Sequence, residues 1–348
     1  MNKSEKIVSD DVNEIISDIV DVAKILQNKT VLVVGGKGFI GTYFVRTLLG
    51  LNQVFSESIK ILVLDNLITV KDKSEFNDPN LKFIEYDISK KIAIKEKIDY
   101  IIHTASIASP PVYRKFPIET IDVNYQGTRN LLDLAKEKKI ESMLFLSSSE
   151  IYGDPTIVPT PESYWGHVSS TGPRACYDES KRLAETICVL YHKLYNIPIK
   201  IARPFNVYGP YLNLEDGRMI PDFMKNALRH SEIIIHSDGT PTRSFCYISD
   251  AMKAFFKIFL LSPSGSIFNV GNDEEISVKR VAEIIRNVMD KSIKIKIQPS
   301  SDSNYTIDNP QRRCPDLKKI KNSIGFSPQI NLQKGIERIY NWYRFSVN

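Results

Sequence analysis

A chain of 348 residues with 42% hydrophobic side chains can form one large domain or two ordinary ones around a sizeable core. Its formal net charge of +5 is mild and its lysines and glutamates are interspersed, so no nucleic-acid-binding surface is indicated. No secretory signal or membrane span is expected, and Cys176, Cys188, Cys246 and Cys314 form no C-x-x-C pair, which suits free thiols in a reducing cytoplasm.

Residues 9–27 read as an amphipathic helix. Val12, Ile15, Ile16, Ile19, Ala23 and Leu26 recur at helical spacing, and Ser9, Asp10 and Asp11 offer N-caps. This extension, residues 1–28, is expected to pack on the domain surface, or alternatively to contact an oligomer or partner. Strands are expected at 30–34, 59–64, 83–86, 100–103 and 142–147, and helices at 39–51 and 120–138. A further helix, 177–195, leads to a strand at 199–203. Continuous apolar strands alternating with helices imply a parallel sheet covered on both faces, over residues 29–204. After about residue 205, Pro, Gly, Asp and Arg become frequent. A smaller lobe over the sheet's C-terminal edge is expected for 205–348, with short helices at 221–228 and 278–288 and a possible return to the sheet. Residues 300–311 are the weakest stretch for order.

Val31-Leu-Val-Val-Gly-Gly-Lys-Gly-Phe-Ile-Gly41 places Gly35, Gly38 and Gly41 at G-x-x-G-x-x-G spacing between a strand and a helix. Such glycines allow a tight turn and close approach of backbone to a pyrophosphate at the helix N-terminus. Asp65 closes the second strand, where a carboxylate accepts from a ribose diol and repels a 2′-phosphate, which favours NAD over NADP. Asp87, after the third strand, is either an adenine contact or a turn residue. Lys37 is unexpected in the loop and is placed either at the surface or toward the phosphates.

Tyr177 and Lys181 stand four apart, on one face of a helix. An ammonium beside a phenol is expected to lower the phenol's pKa and make it a base for a sugar hydroxyl. The serine cluster Ser147–Ser149 precedes the pair. His103 is expected to be a packed residue, the other histidines show no metal spacing, and Cys176 reads as packing. Trp165 is expected to stack near the active-site loop or to pack.

The glycine loop, Asp65, Asp122-Val-Asn124 with Gly127-Thr128, Ser147-Ser-Ser-Glu-Ile-Tyr-Gly153, Tyr177-x-x-x-Lys181 and Arg203-Pro-Phe-Asn-Val-Tyr-Gly-Pro210 together resemble the extended short-chain dehydrogenase/reductase (NAD-dependent epimerase/dehydratase) family. The resemblance covers nearly the whole chain after residue 29. Within it, Tyr152-Gly-Asp-Pro155, Tyr164-Trp-Gly-His-Val168, Gly172-Pro-Arg-Ala-Cys-Tyr-Asp-Glu179 and Asn309-Pro-Gln-Arg-Arg313 look like the UDP-glucuronate decarboxylases (UDP-xylose synthases). Three departures stand out: Ser148 where a threonine is usual, Lys37 where a small residue is usual, and the N-terminal helix together with Tyr113-Arg-Lys115.

The resemblance implies an α/β, Rossmann-type doubly wound fold, NAD as cofactor, a UDP-sugar as substrate and a homodimer. It implies cofactor contacts from Gly35, Gly38, Phe39, Ile40, Gly41, Asp65, Asn66, Asp87, Ile88, Thr104, Ala105, Asn124 and Lys181. Substrate contacts fall on Ser149, Glu150, Arg174, Tyr177, Asn206, Arg218 and Arg243, and no metal is implied. Tyr177 takes the proton from the C4 hydroxyl, Lys181 tunes it and Ser148 bonds the same oxygen. A dehydratase of this family carries Asp-Glu where this chain has Ser149-Glu150, and serine is a poor donor to a leaving hydroxyl. The pair therefore points to C4 oxidation and decarboxylation. A C4 epimerase, C4 dehydrogenase or 4,6-dehydratase on another nucleotide sugar, and a non-catalytic dinucleotide sensor, stay open.

Overall fold

The computed structural model describes residues 2–68, 76–300 and 309–346. Most of the stretch 300–311, expected to be the least ordered, lies outside the described residues.

Helix α1 (Lys3–Ala23) starts earlier than expected. Its cap is Asn2, whose Oδ1 accepts from the Glu5 amide at 2.9 Å. Ser9, Asp10 and Asp11 are helical residues, not caps. A capping oxygen is tolerated inside a helix when it faces water, as at Asp10, or finds partners, as at Asp11. Val8, Ile15 and Ile19 are fully buried against α2 (Phe39–Asn52), the helix Ile248–Leu261 and the C-terminal helix Leu332–Ser346. At roughly 1.5–3 kcal/mol each, these three side chains make α1 a packing helix. Gly50 admits it: a Cβ there would lie 2.5 Å from Ile16 Cδ1.

Buried Asp11 is the polar centre of this contact. It accepts from Tyr43 Oη of α2 at 2.9 Å, Tyr247 Oη at 2.8 Å and Arg338 Nη1 at 2.7 Å, while Arg338 Nη2 donates to Glu14 at 2.6 Å. Burial pushes the Asp11 carboxyl up to about 6 against the opposing pull of these partners.

The main sheet has seven parallel strands: β1 (Thr30–Val34), β2 (Lys60–Asp65), β3 (Leu81–Glu85), β4 (Tyr100–His103), β5 (Ser142–Leu146), β6 (Ile199–Pro204) and the later strand Ile267–Val270. Their order is Ile267–Val270, β6, β5, β4, β1, β2, β3. β3 is offset from the expected 83–86. Val34 lies opposite both Leu64 and His103. The chain winds one way from β1 to β3 and the other way from β4 to β6. The crevice at the carboxyl ends of β1 and β4 is therefore the switch point at which such sheets bind ligands.

On one face lie α1, α2 and Ile248–Leu261. On the other lie α3 (Pro110–Lys115), α4 (Pro117–Asp122), α5 (Thr128–Lys138) and α6 (Ala175–Tyr195). The helix expected over 120–138 begins at Pro117, whose fixed φ suits a first turn, and passes through a π-helical turn at Val123–Gly127. Beyond β6 the chain builds short paired strands and the helix Met219–His230, contributes Ile267–Val270 to the main sheet, and then forms the helix Val278–Met289. Among the described residues no helix is long and apolar enough to cross a membrane.

Candidate active site

β1 runs into the glycine loop and then α2. Gly35 sits at φ +79°, and a Cβ there would lie 2.6 Å from the Ala105 amide nitrogen. A Cβ at Gly41 would meet Gly36 Cα at 2.7 Å. Gly38 is the N-cap of α2 and supplies no side-chain cap, so the amides of Phe39, Ile40 and Gly41 are the donors a pyrophosphate would engage. This cradle, which any side chain would fill, fits a dinucleotide. Asp65 ends β2 beside it, and its oxygens accept from the amides of Lys37 and Leu67 at 2.9 Å each. Burial raises the Asp65 pKa against those bonds.

The other residues expected at the cofactor are held by contacts within the protein. The half-buried Lys37 places its ammonium 4.4 Å from the Phe76 ring centre and 5.8 Å from that of Phe83. Asn66 and Asp87 accept from the amides of Ile68 and Ser89, bracing their own turns. Ile88 is a core residue against Gly127. Thr104 donates to Val34 O at 2.8 Å and fixes the end of β4 to β1. Buried Asn124 accepts from Ser106 Oγ at 2.7 Å and donates to Ser180 Oγ at 2.9 Å, which ties the π-turn to α6.

α6 carries Tyr177 and Lys181, both buried. Lys181 Nζ donates to Leu146 O, at the end of β5, at 2.9 Å, and burial pulls its pKa down to about 7. Tyr177 is hydrogen-bonded to Ser148. Burial pushes the phenol well above its ordinary value, and the Ser148 bond opposes that. Burial outweighs the contacts that favour the phenolate, because a four-residue spacing fixes the face of a helix but not its depth.

Both residues line a cavity of about 260 Å³ with Ile40, Thr104, Tyr113, Ser147, Ser148, Ser149, Glu150, Arg174, Asn206, Arg218, Arg243, Asn309 and Arg313. Ser148 Oγ accepts from the Glu150 amide at 3.1 Å and starts the short turn Ser149–Tyr152. The Glu150 carboxylate accepts from Arg174 and from both terminal nitrogens of Arg313, the second at 2.8 Å. These two guanidiniums hold it well below the usual carboxylate range against burial. Arg218 forks onto Asp216. Arg243 donates to Thr242 O at 2.8 Å and Asn309 Oδ1 at 2.8 Å, and Asn206 donates to Ser244 O at 2.9 Å.

Arg313 and Asn309 were not among the residues singled out as site contacts. Their signal was the Asn309–Arg313 segment itself, quoted only for its resemblance. The pairing of Arg312–Arg313 with Thr242–Arg243 carries Arg313 to Glu150. His103 is packed as expected: Nε2 lies 3.0 Å from Thr128 Oγ1, and burial pushes the ring down to about 3. The Cys176 thiol donates to Tyr113 O at 3.7 Å. Trp165, at 89% exposure, neither stacks nor packs. Among the described residues no group of His, Cys, Asp and Glu could hold a metal ion.

Comparison with known proteins agrees with this geometry. UDP-glucuronic acid decarboxylase 3 of Arabidopsis thaliana is 38% identical over 324 residues, 92% of this chain and 91% of that protein. UDP-glucuronic acid decarboxylase 1 of Xenopus tropicalis is 34% identical over 321 residues, 91% of this chain and 73% of that protein. Among solved structures, the dTDP-glucose 4,6-dehydratase DesIV of Streptomyces venezuelae, with NAD and TYD bound, is similar at a TM-score of 0.79 and 26% identity, covering 90% of this chain and 97% of that one. A UDP-glucose 4-epimerase of Thermotoga maritima, at a TM-score of 0.80 and 22% identity over 92% of this chain and 100% of that one, shares the fold. Residues 31–271 match the model of the NAD dependent epimerase/dehydratase family, and with the glycine cradle and the Tyr177–Lys181 pair in place the chain belongs to that family.

Proposed function

We propose that the protein converts a UDP-linked hexuronic acid, UDP-glucuronate or a close analogue, to a UDP-pentose and carbon dioxide. The observation that carries this reading is the state of the Ser149–Glu150 pair. Glu150 is held ionised by Arg174 and Arg313, and Ser149 is a poor acid, so this pair offers no proton to a departing C6 hydroxyl. Loss of water is disfavoured, and loss of carbon dioxide needs no such acid. The cationic wall of Arg174, Arg218, Arg243 and Arg313 suits a diphosphate and a carboxylate. The similarity to UDP-glucuronic acid decarboxylases over most of their length supports the same reading.

When bound, NAD supplies the reversible two-electron oxidation at C4. Tyr177 accepts the proton from the C4 hydroxyl, and Ser148 bonds the same oxygen. Lys181 holds the nicotinamide ribose and, when charged, favours the Tyr177 phenolate. The C4 ketone makes the sugar a β-keto acid. The bond from C5 to the carboxyl breaks, its electrons pass to the ketone as an enolate, and carbon dioxide leaves. After C5 is protonated and C4 reduced, Tyr177 returns its proton to O4. Arg218 and Asn206 hold the diphosphate, and Arg243 forks to a carboxylate or to the diphosphate. Residues 29–204 serve the cofactor, residues 205–348 mainly the nucleotide sugar, and residues 1–28 are a helical extension.

A cytoplasmic homodimer completes the reading. Free thiols support a reducing compartment. Ile118 and Ile121 of α4 and Leu183, Leu190 and Leu194 of α6 expose an apolar face that a second copy would cover.

The test is incubation with NAD and UDP-glucuronate, reading carbon dioxide and a UDP-pentose by mass spectrometry. Both should form and both should vanish in Tyr177→Phe. Turnover of UDP-sugars that lack the carboxylate, with UDP-glucuronate inert, would sink the proposal and favour an epimerase or dehydrogenase.

A further inference from the structure

Tyr113, on α3, has no part in the chemistry above, yet it lies against the catalytic tyrosine. Its side chain is 1% exposed. Its ring stacks on that of Tyr177, with centroids 5.4 Å apart and planes inclined by 14°. Its hydroxyl is buried and has no hydrogen-bond partner among the described residues. Buried hydroxyls are seldom left unpaired, because desolvation without a partner is unfavourable. Tyr113 also lines the cavity, and the charges of Arg174, Glu150, Asp178 and Arg114 act on its phenol.

α3 is held from three sides. Cys176 of α6 donates to the Tyr113 carbonyl. Ser109, its N-cap, donates to Asp216 O at 2.8 Å. Pro111 closes on Gly217 so tightly that a Cβ there would lie 2.6 Å from Pro111 Cγ. The ring is thus positioned before substrate arrives, by contacts that leave its hydroxyl unsatisfied. Burial pushes the phenol up to about 12, so it stays protonated at neutral pH and acts as a donor. A fixed, unpaired donor beside Arg174 calls for an anionic acceptor.

We propose that Tyr113 is a substrate-binding residue whose hydroxyl donates to the carboxylate of the hexuronic sugar and so selects the sugar acid over the neutral sugar. This assignment rests on the decarboxylase reading. With Tyr177 at the C4 oxygen, the ring stacked beside it serves the substituent on the neighbouring carbon, C5, which is the carboxylate. That bond is made in the ground state and kept through the oxidation at C4. Its removal should therefore raise KM and leave kcat within a few-fold.

The experiment has two arms. Wild type is first assayed for carbon dioxide release from UDP-glucuronate. Tyr177→Phe and Tyr177→Phe/Tyr113→Phe, both loaded with NAD, are then titrated calorimetrically with UDP-glucuronate, UDP-glucose and UDP. The second substitution should weaken UDP-glucuronate roughly 10- to 100-fold, the range for a hydrogen bond to a charged group, and change UDP by less than about twofold. In the otherwise wild-type protein, Tyr113→Phe should raise KM by a similar factor. Unchanged UDP-glucuronate binding overturns the assignment. Equal weakening of UDP-glucuronate, UDP-glucose and UDP also overturns it, because it would mark a structural role. If wild type releases no carbon dioxide while UDP-glucuronate binds, the decarboxylase reading fails in its own arm and the carboxylate assignment falls with it.

Discussion

Glu150→Gln tests whether Glu150 is a counter-ion or a proton-transfer group. The change keeps the shape and removes one charge from a cluster in which Glu150, Arg174 and Arg313 have side chains 18%, 16% and 4% exposed. Deleting one partner of a buried ion pair costs about 3–5 kcal/mol, because the remaining charge stays desolvated. Two guanidiniums lose their shared carboxylate here, so the upper part of that range applies. A stability of about 5–15 kcal/mol is typical of a folded protein, so the variant should fold with a clearly reduced urea midpoint. The pH dependence has a definite sign. The native Glu150 pKa is depressed, so its stabilisation is complete above the ordinary carboxylate range and is lost as pH falls below it. That acid-side loss should be missing from Glu150→Gln. Urea unfolding at several pH values, with NAD affinity followed in parallel, measures both effects. A stability loss below about 1 kcal/mol combined with collapse of turnover would refute the counter-ion role and make Glu150 a proton-transfer group.

Three further outcomes follow from the geometry. Tyr177→Phe should lower turnover at least about 100-fold and leave NAD affinity unchanged, read by single-turnover kinetics and calorimetry. Gly41→Ala places a Cβ 2.7 Å from Gly36 Cα, with backbone that cannot yield, and should weaken NAD at least about tenfold by calorimetry. Asp11 has a native pKa raised from 3.8 to about 6, so stability should fall by about 2 kcal/mol as pH rises from 4 to 6; Asp11→Asn should flatten that slope in urea unfolding.

The glycine loop, Asp65 and the Tyr177–Lys181 pair were legible in the sequence because each depends on local spacing. So were the short, continuously apolar strands. Ile248–Leu261 was not: Phe255, Phe256, Ile258 and Phe259 are all fully buried, and only Lys253 and Lys257 mark the narrow polar stripe of a mostly apolar helix. The strand Ile267–Val270 is only four residues long, and its place beside β6 is set by packing. Arg313 reaches Glu150 from 163 residues away through strand pairing, which no motif spacing encodes. The burial that pushes the Tyr177 phenol up was not legible either, since burial depth is a tertiary property.

The Asp11 cluster has a consequence for how the chain assembles. Asp11 bonds Tyr247, 236 residues later, and Arg338, 327 residues later. During synthesis α1 emerges well before its polar partners, so its carboxylate and its apolar stripe wait in water or in looser contacts until Leu332–Ser346 has been made. Helix α1 and Leu332–Ser346 therefore close the fold together. A chain shortened at its C-terminus before Arg338 should leave α1 poorly held, although every residue of the glycine loop, Tyr177 and Lys181 would still be present.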